Sequence, residues 1–352
     1  MAGLFDYEFQ LEKINQHKPP LQKLDKVINW EMFREPIESA LYVEPKAPGG
    51  RPPYDVCKFH NKKLYKLMMF KIIILQKYYN LSDEQTEFQI KDRLSFMQFL
   101  GLQIGDNIPD EKTIWLFKEN LKEKKLSKKL FKLFSDSLIN NGIIAREGSM
   151  VDASFVDVPR QRNSREDNKT IKDGNIPESF KESQAKLSQK DTDARWMTKS
   201  GERHYGYKDH INADAKTKLI TEYSVSSAAP HDSTELENII SEDDKILYAD
   251  SAYRSKKIEE ELKAKNITSH VHEKGYRNNP LDEQQKLTNK MKSKIRVRVE
   301  HVFGFMTNSM NDALHMTSIG LERIESNIGF LNLTYNLFRY EQLVRYKKIQ
   351  IM

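Results

Sequence analysis

Cysteine is nearly absent from this chain of 352 residues, which contains only Cys57. A single cysteine cannot form a disulfide within the chain, and it cannot supply the thiolates of a cysteine-rich zinc site. The histidines do not follow the ligand spacing of a standard zinc site either. Those in question are His204, His210, His231 and His301. We therefore expect a protein of the reducing cytosol whose histidines form hydrogen bonds, with His231 as the N-cap of a helix.

Long apolar runs are also missing. The strongest run, Leu67–Leu75, is interrupted by Lys71 and is shorter than the roughly 20 residues that cross a bilayer. The first residues lack the basic segment and apolar segment of a secretory signal peptide. The sequence therefore predicts a cytoplasmic protein that does not associate with a membrane.

No strong excess of one charge marks the chain. It has 57 lysines and arginines against 51 aspartates and glutamates, which gives a net charge of +6 with neutral histidines. This modest excess permits nucleic-acid binding without requiring it, so the local distribution of the basic residues carries more weight. A length of 352 residues allows two or three domains.

Three acidic residues each lie beside an apolar element. Asp152 lies inside a predicted strand at residues 148–159, and Asp250 ends a short apolar strand. Glu300 borders the apolar stripe of a predicted helix. That stripe consists of Met291, Ile295, Val299, Val302, Phe303, Met306 and Met310. A lone buried aspartate is often satisfied by backbone amides, but three such acids together match a site for two divalent cations that performs phosphoryl transfer.

Several short stretches resemble one known family. They are Val-Asp-Ala-Ser-Phe-Val-Asp-Val-Pro-Arg-Gln-Arg-Asn (151–163), Asp-Ala-Arg-Trp (193–196), Tyr-Gly-Tyr-Lys-Asp-His (205–210), His-Asp-Ser (231–233), Ala-Asp-Ser-Ala-Tyr-Arg (249–254) and Val-Glu-His-Val-Phe-Gly (299–304). In these stretches and in the order of its three acids, the chain resembles the DDE transposases of bacterial insertion sequences. The resemblance runs from about residue 55 to about residue 340.

The resemblance implies a set of site residues and a cofactor. Asp152, Asp250 and Glu300 would be both the catalytic residues and the metal ligands. The metal would be Mg²⁺, for which Mn²⁺ can substitute. Relatives often carry tyrosine, arginine, glutamate and lysine at fixed spacing on the last helix. Arg296 and Glu300 fit this pattern, whereas Ser293 and Thr307 occupy the tyrosine and lysine places. That departure leaves open how the transferred strand is held and whether a DNA hairpin forms during excision.

The predicted fold class is an α/β ribonuclease-H-like catalytic domain, a mixed sheet flanked by helices, preceded by an all-α helix-turn-helix-like domain. The element order from residue 143 onwards is strand, hairpin, helix, strand, helix, strand, helix. The predicted domains are an irregular arm at residues 1–60, a helical DNA-binding domain at 61–142 and the catalytic domain at 143–345. Without the resemblance, the helices of residues 61–142 would equally suit a plain bundle with solvated lysines.

Residues 159–203 form a polar insertion with few large apolar side chains, chiefly Trp196 and Met197. Such a segment cannot bury enough apolar surface to fold by itself. It is either an unstructured insertion or a segment that becomes ordered on DNA.

Basic residues predicted to contact DNA lie in the insertion, in the core and before Glu300. They are Arg160, Arg162, Arg195, Lys208, Arg254, Lys292, Arg296 and Arg298. Between Gln284 and Val299 the chain has six basic residues and no acidic residue, and this run leads to the acid beside which a phosphate backbone must lie. The alternatives are a solvated face for the run and an ion pair with Arg296 for Glu300.

The resemblance implies a transposase that binds the terminal inverted repeats of an insertion sequence, cuts at the ends and joins 3′-ends to target DNA. The partner is double-stranded DNA, at the bacterial nucleoid. A homodimer or larger assembly is expected because two DNA ends must be brought together. Two alternatives remain: a transposase-derived protein that binds DNA without cutting, and a ribonuclease-H-like nuclease that does not join strands. The presence of all three acids argues against the first.

Overall fold

The structure is a computed structural model that describes residues 6–42, 62–199, 201–276 and 279–349. The chain divides into two compact units, residues 1–131 with 330–352 and residues 132–329. None of the described helices is both long enough and apolar enough to cross a membrane.

The helices and strands are numbered here in chain order. The helices are α1 (Asp6–Gln16), α2 (Pro20–Asp25), α3 (Arg34–Ala40), α4 (Lys62–Tyr79), α5 (Asp83–Asp92), α6 (Leu94–Leu100), α7 (Glu111–Glu123), α8 (Leu126–Asn140), α9 (Arg165–Lys172), α10 (Glu178–Lys181), α11 (Gln184–Ser188), α12 (Leu236–Ile239), α13 (Lys256–Ala264), α14 (Glu283–Arg296), α15 (Glu300–Asn308) and α16 (Leu321–Arg345). The strands are β1 (Ser149–Asp157), β2 (Arg195–Lys199), β3 (Glu202–Asp214), β4 (Ile220–Ser227), β5 (Ile246–Tyr248) and β6 (Thr268–Ser269). Short 3₁₀ turns occupy Trp30–Phe33, Asp232–Glu235, Ser251–Tyr253 and Val297–Val299.

Residues 6–42 are helical, so the prediction of an irregular arm is wrong for this part of the chain. Pro20 and Pro36 lie in the first turns of α2 and α3, where a helix does not need the missing N–H. The residues that anchor the segment by burial are Leu21, Leu24, Phe33 and Ile37. The proline-rich stretch 45–53 and Cys57 lie outside the described residues.

The first unit takes part of its core from the end of the chain. Phe70 of α4 lies 6.4 Å from Phe330 of α16 between ring centroids. Tyr78 stacks on Phe338 with centroids 3.8 Å apart and planes 14° from parallel. The second half of α16 therefore belongs to this unit, whereas the sequence placed a domain boundary at residue 142 and assigned α16 to the catalytic domain.

Local sequence signals set the helix ends in the first unit. The Ser82 hydroxyl accepts a hydrogen bond from the Gln85 N–H at 3.1 Å, and the Asp110 carboxylate accepts one from the Thr113 N–H at 2.7 Å. These bonds satisfy N–H groups that have no partner within the helix. Gly101 ends α6 in the left-handed conformation, with φ of 71°.

The second unit is built on a mixed sheet in the order β2–β3–β1–β5–β6, with β4 also paired to β3. β1 is antiparallel to β3 and parallel to β5, and β5 is parallel to β6. This sheet with its flanking helices fits the predicted ribonuclease-H-like core. Gly206 of β3 has φ of 150°, and a Cβ there would collide with the carbonyl oxygen of Val156, which explains the glycine of the Tyr-Gly-Tyr stretch.

The polar insertion is structured, contrary to expectation: it contains α9, α10, α11 and β2. Ser164 and Asp167 form a reciprocal capping box at the start of α9, and Ile171 and Phe180 are buried. β2 forms an antiparallel hairpin with the first residues of β3. The sequence missed this order because much of it is supplied by buried polar contacts and not by apolar area.

Asp191 is the main buried polar contact of the insertion, with 1% of its surface exposed. Its Oδ1 accepts hydrogen bonds from the Ala194 N–H at 2.8 Å and the Tyr207 hydroxyl at 2.7 Å. Its Oδ2 accepts one from the Gly320 N–H at 3.0 Å, at the start of α16. Asp191 therefore joins the insertion to β3 and to the N-terminus of α16.

The helix predicted to carry Glu300 is interrupted. α14 ends at Arg296, a 3₁₀ turn follows, and α15 begins at Glu300 itself. Val299, Val302, Met306 and Met310 are buried as predicted, but Met291 is 62% exposed. α14 has no buried residue, so the predicted apolar stripe begins only at Val299.

Candidate functional site

Asp152 lies on β1, and Asp250 follows the neighbouring parallel strand β5. The register pairs Met150 of β1 with Tyr248, the last residue of β5, and Asp152 and Asp250 each follow two residues later. The Asp250 carboxylate accepts a hydrogen bond from the Ala252 N–H at 2.8 Å, at the start of the 3₁₀ turn. The two strands that carry or precede these acids are adjacent in the sheet, and the prediction that the acids form one site stays a prediction.

Burial of Asp152 raises the pKa of its carboxyl group to about 6. A hydrogen bond from the Ala153 N–H and the charge of Arg296 act in the opposite direction, and the charge of Asp250 raises the pKa further. Only 18% of the Asp152 side chain is exposed. An ionised Asp152 is therefore held at a free-energy cost, and a cation at this place would relieve it.

Arg296 joins the third acid to the first. Its Nη1 lies 3.3 Å from Asp152 Oδ2, and its Nη2 donates a short hydrogen bond to Glu300 Oε1. The predicted ion pair between Arg296 and Glu300 is therefore present. Glu300, Asp152 and Asp250 do not together form a metal site in this conformation. The described part of the chain holds no group of three or more acidic, histidine or cysteine side chains placed to bind one metal ion.

A family model described as a transposase DDE domain matches residues 145–337, which is more than half of the 352 residues. The chain belongs to the DDE transposases. A second model, described as a transposase domain (DUF772), matches residues 9–120. The fold is similar, at a TM-score of 0.45 and 11% sequence identity, to a piggyBac transposase in a synaptic complex with hairpin DNA, over 94% of this chain and 74% of that one. A likeness at that score adds nothing to the argument.

Transposases of this family typically use a divalent metal ion. Asp152 and Asp250 supply the carboxylate oxygens that Mg²⁺ prefers, and they stand side by side. The hydroxyl of Tyr253 is buried and has no hydrogen-bond partner among the described residues. Tyr253 ends the 3₁₀ turn that Asp250 caps. Burial raises the pKa of Tyr253, and the charges of Asp152, Asp232 and Asp250 raise it further. Two adjacent carboxylates and an unsatisfied hydroxyl fit a hydrated divalent cation.

Some of the basic residues predicted to contact DNA lie on the surface of this transposase. Arg160 and Arg162 are exposed in the insertion, and Arg298 is exposed beside Glu300, where it donates to the Ala215 carbonyl at 3.1 Å. These three side chains remain candidates for phosphate contacts.

Lys208, predicted as a DNA contact, is engaged within the protein. It is 4% exposed, pairs with Asp232 at 2.7 Å and donates to the Pro230 carbonyl at 2.6 Å. The sequence did not predict this burial because both faces of β3 are covered from Tyr205 to Asp214.

The other predicted contacts are partly engaged within the protein. Arg195 donates to the carbonyls of Thr192, Ala194 and Ile171 at 2.7, 3.1 and 2.9 Å, so its role is to hold the insertion. Arg254 pairs with Glu273 at 3.2 Å, and Lys292 donates to the Val271 carbonyl at 2.9 Å. These residues support the loops beside the acids, and Lys292 is a poorer candidate for a phosphate contact than its exposed neighbours.

The sequence interpretation did not include Trp196 among the functional residues. Its side chain is 47% exposed on β2, with the Arg160 guanidinium 5.6 Å from the ring centroid. Lys199, at the end of the same strand, has its ammonium 5.7 Å from the centroid of the Phe155 ring on β1, and its charge lowers the pKa of Asp152. A tryptophan in an otherwise polar segment was the signal that could have identified this surface.

The histidines form hydrogen bonds, as predicted. His210 is buried against the Ser226 hydroxyl at 2.8 Å, and burial lowers its pKa to about 4. His231 caps the turn that begins at Asp232 by accepting from the Ser233 N–H. His301 contacts Lys218 at 2.7 Å.

Proposed function

We propose that this transposase binds the terminal inverted repeats of its own insertion sequence, cuts at the ends and joins 3′-ends to target DNA. The observation that supports the proposal is that Asp152 lies on β1 and Asp250 follows the neighbouring parallel strand β5, in a chain that belongs to the DDE transposases. Glu300 is the third acid, at the N-terminus of α15. Bound divalent cations would activate the attacking oxygen and stabilise the leaving 3′-oxygen.

The residues of the chain have separate tasks in this proposal. Asp152 and Asp250 hold the cations, and the rigid strand register keeps their carboxylates together. Glu300 completes the ligand set after it separates from Arg296. No side chain acts as a nucleophile, because the attacking group is water or the 3′-hydroxyl of the cut strand. The site therefore needs positioning and charge more than covalent chemistry.

DNA is proposed to lie along basic surfaces of both units, each considered by itself. In the second unit, Lys290, Lys294 and Arg298 are exposed on the segment that leads to Glu300. In the first unit, Lys124, Lys125, Lys128 and Lys129 are exposed around the start of α8, and Leu126 and Leu130 are buried. Lysines on solvent-facing positions, with no acid among them on α8, are suited to phosphate contacts that are independent of sequence.

The reading of the terminal repeats is assigned to the helical domain of the first unit. The lysines of α4 are a weak argument for it, since Lys71 pairs with Asp25 at 2.5 Å and Lys66 donates to the Leu41 carbonyl at 3.0 Å. The side chains of Lys62 and Lys63 lie outside the described residues. The exposed lysines of α8 support DNA binding by this unit through phosphate contacts, which do not themselves distinguish one sequence from another. A homodimer remains a proposal that follows from the need to join two DNA ends.

A strand-joining assay tests the proposal. Labelled duplexes that carry the DNA flanking the coding sequence are incubated with the full chain, a supercoiled plasmid and Mg²⁺ or Ca²⁺. Labelled, joined plasmid in Mg²⁺ and binding without joining in Ca²⁺ are the expected results. Cutting without joining would identify a nuclease of this fold. Binding without cutting in either Mg²⁺ or Mn²⁺ would identify a protein that has kept only DNA binding.

A further inference from the structure

We propose that Arg296 is an internal counter-cation that keeps the metal site closed until DNA arrives. This inference rests on the proposed function, because it assumes that Asp152 and Glu300 become metal ligands. It adds a coupling between metal binding and DNA binding. The Arg296 guanidinium must leave before all three acids can hold a divalent cation, and it leaves to bind a DNA phosphate.

The contacts place Arg296 where a cation is needed. Its guanidinium reaches Asp152 Oδ2 at 3.3 Å and bonds to Glu300 Oε1, so one group of single positive charge neutralises parts of two carboxylates. Only 18% of the Arg296 side chain is exposed. It is the basic residue in contact with both acids among the described residues, and its contact with Glu300 engages that carboxylate.

An arginine in this position competes with a metal ion and does not assist it. The guanidinium cannot lose its proton at ordinary pH, so its charge stays as long as the side chain stays. A divalent cation held by the same oxygens would repel it strongly at a separation of a few ångströms. Loading of the site therefore requires the side chain to swing away from Asp152 and to release Glu300.

A phosphate is the appropriate new partner for the displaced side chain. Arginine binds phosphate in the same two-pronged manner in which it binds carboxylate. Lys292 lies one turn earlier on the same face of α14 and is half-buried, so a phosphate that approaches this face of the helix reaches Arg296. By thermodynamic linkage, DNA that withdraws Arg296 tightens metal binding, and metal that displaces Arg296 tightens DNA binding by the same factor.

The test is a Mn²⁺ titration of the full chain without DNA, followed by electron paramagnetic resonance of the free ion. The proteins are wild type, Arg296→Gln, the control Lys257→Gln, and the double variant Asp152→Asn with Arg296→Gln. Lys257 is exposed on α13 and forms an ion pair of the same i,i+4 spacing with Glu261. We expect Arg296→Gln to bind Mn²⁺ at least about tenfold more tightly than wild type, which corresponds to about 1.4 kcal/mol. Lys257→Gln should bind as wild type does, and the double variant should lose the gain.

Addition of a terminal duplex should narrow the difference between wild type and Arg296→Gln, because DNA removes the guanidinium from the wild-type site. A gain in affinity cannot come from simple structural damage, and circular dichroism checks that the variants are folded. Equal or weaker Mn²⁺ binding by folded Arg296→Gln overturns the inference and leaves the metal site standing. If neither protein binds Mn²⁺ with or without DNA, both the inference and the metal site of the proposed function fail.

Discussion

Asp250 stands beside Asp152 at the place where β5 ends and β1 continues. The two carboxylates reach the same region from different parts of the sequence, and each is fixed by a backbone N–H, from Ala252 and Ala153 respectively. Burial, with a contribution from Asp250, holds the pKa of Asp152 near 6. The protein alone therefore does not fully balance the negative charge of these two carboxylates.

Stability should depend on pH through Asp152. The folded state holds the proton of the Asp152 carboxyl group more tightly than the unfolded state, in which the pKa of that group is 3.8. Stability therefore falls as pH rises from 3.8 to about 6. Asp152→Asn removes the ionisation and should raise the free energy of unfolding by about 1–3 kcal/mol at pH 8 in metal-free buffer. The gain should shrink below pH 6 and vanish near pH 4.

Urea unfolding at several pH values measures this, with Asp173→Asn as the control. Asp173 is exposed at the end of α9, so its variant should differ from wild type by little at any pH. An Asp152→Asn variant that is less stable than wild type at pH 8 would contradict the account of a carboxylate strained by burial.

Asp191 should matter for stability although it lies in the polar insertion. Asp191→Asn replaces one of its acceptor oxygens with an N–H₂ group that faces N–H or O–H donors. We expect a loss of about 1–3 kcal/mol in the free energy of unfolding, against a negligible change for Asp173→Asn in the same insertion. A loss no greater than that of the control would mean that the insertion does not depend on this contact.

Salt dependence of DNA binding should separate exposed lysines from the buried one. Lys294→Ala should weaken binding to all sequences and flatten the log–log salt dependence by roughly one unit. Lys208→Met should leave the slope unchanged because Lys208 is buried in its pair with Asp232. Fluorescence anisotropy across a salt series measures both slopes. Equal slopes for wild type and Lys294→Ala would indicate that the exposed lysines of α14 face solvent and do not contact DNA.

A fragment that ends at Gly142 should fold poorly. It lacks Phe330 and Phe338, which pack on Phe70 and Tyr78 within the first unit. Joining residues 321–349 to the fragment through a flexible linker should restore a cooperative thermal transition, followed by circular dichroism. A fragment that melts cooperatively without α16 would show that this helix is dispensable for the first unit.

The sequence was sufficient for the order of β1, the β3–β4 hairpin, α12, β5, α13 and β6, but it missed α9, α10, α11 and β2. Alternation in β1 and the apolar end of β5 are local patterns, and so are the caps Ser82 and Asp110. The sequence did not predict that Lys208 is buried, because the covering of a strand's second face depends on the loops that pack over it. The sequence did not predict the structural role of Asp191 either. A buried carboxylate that accepts hydrogen bonds from distant backbone N–H groups leaves no periodic pattern in the sequence.

The relation between Arg296 and the acids was only half predictable. Spacing of four residues predicts the pair with Glu300 on a helix, and the pair is present despite the 3₁₀ turn between them. The contact with Asp152 joins positions 144 residues apart and depends on how the helices lie on the sheet. No local pattern carries that information.

Metal-dependent cutting of DNA by Asp152, Asp250 and Glu300 can be tested in one comparison. Single-turnover cleavage of a terminal duplex in Mg²⁺ and in Mn²⁺ is measured for wild type, Asp152→Asn, Asp250→Asn and Glu300→Gln, beside binding of the same duplex in Ca²⁺. We expect wild type to cut the duplex and each variant to bind it without cutting. Wild-type cleavage by folded Asp152→Asn or Asp250→Asn would contradict this expectation.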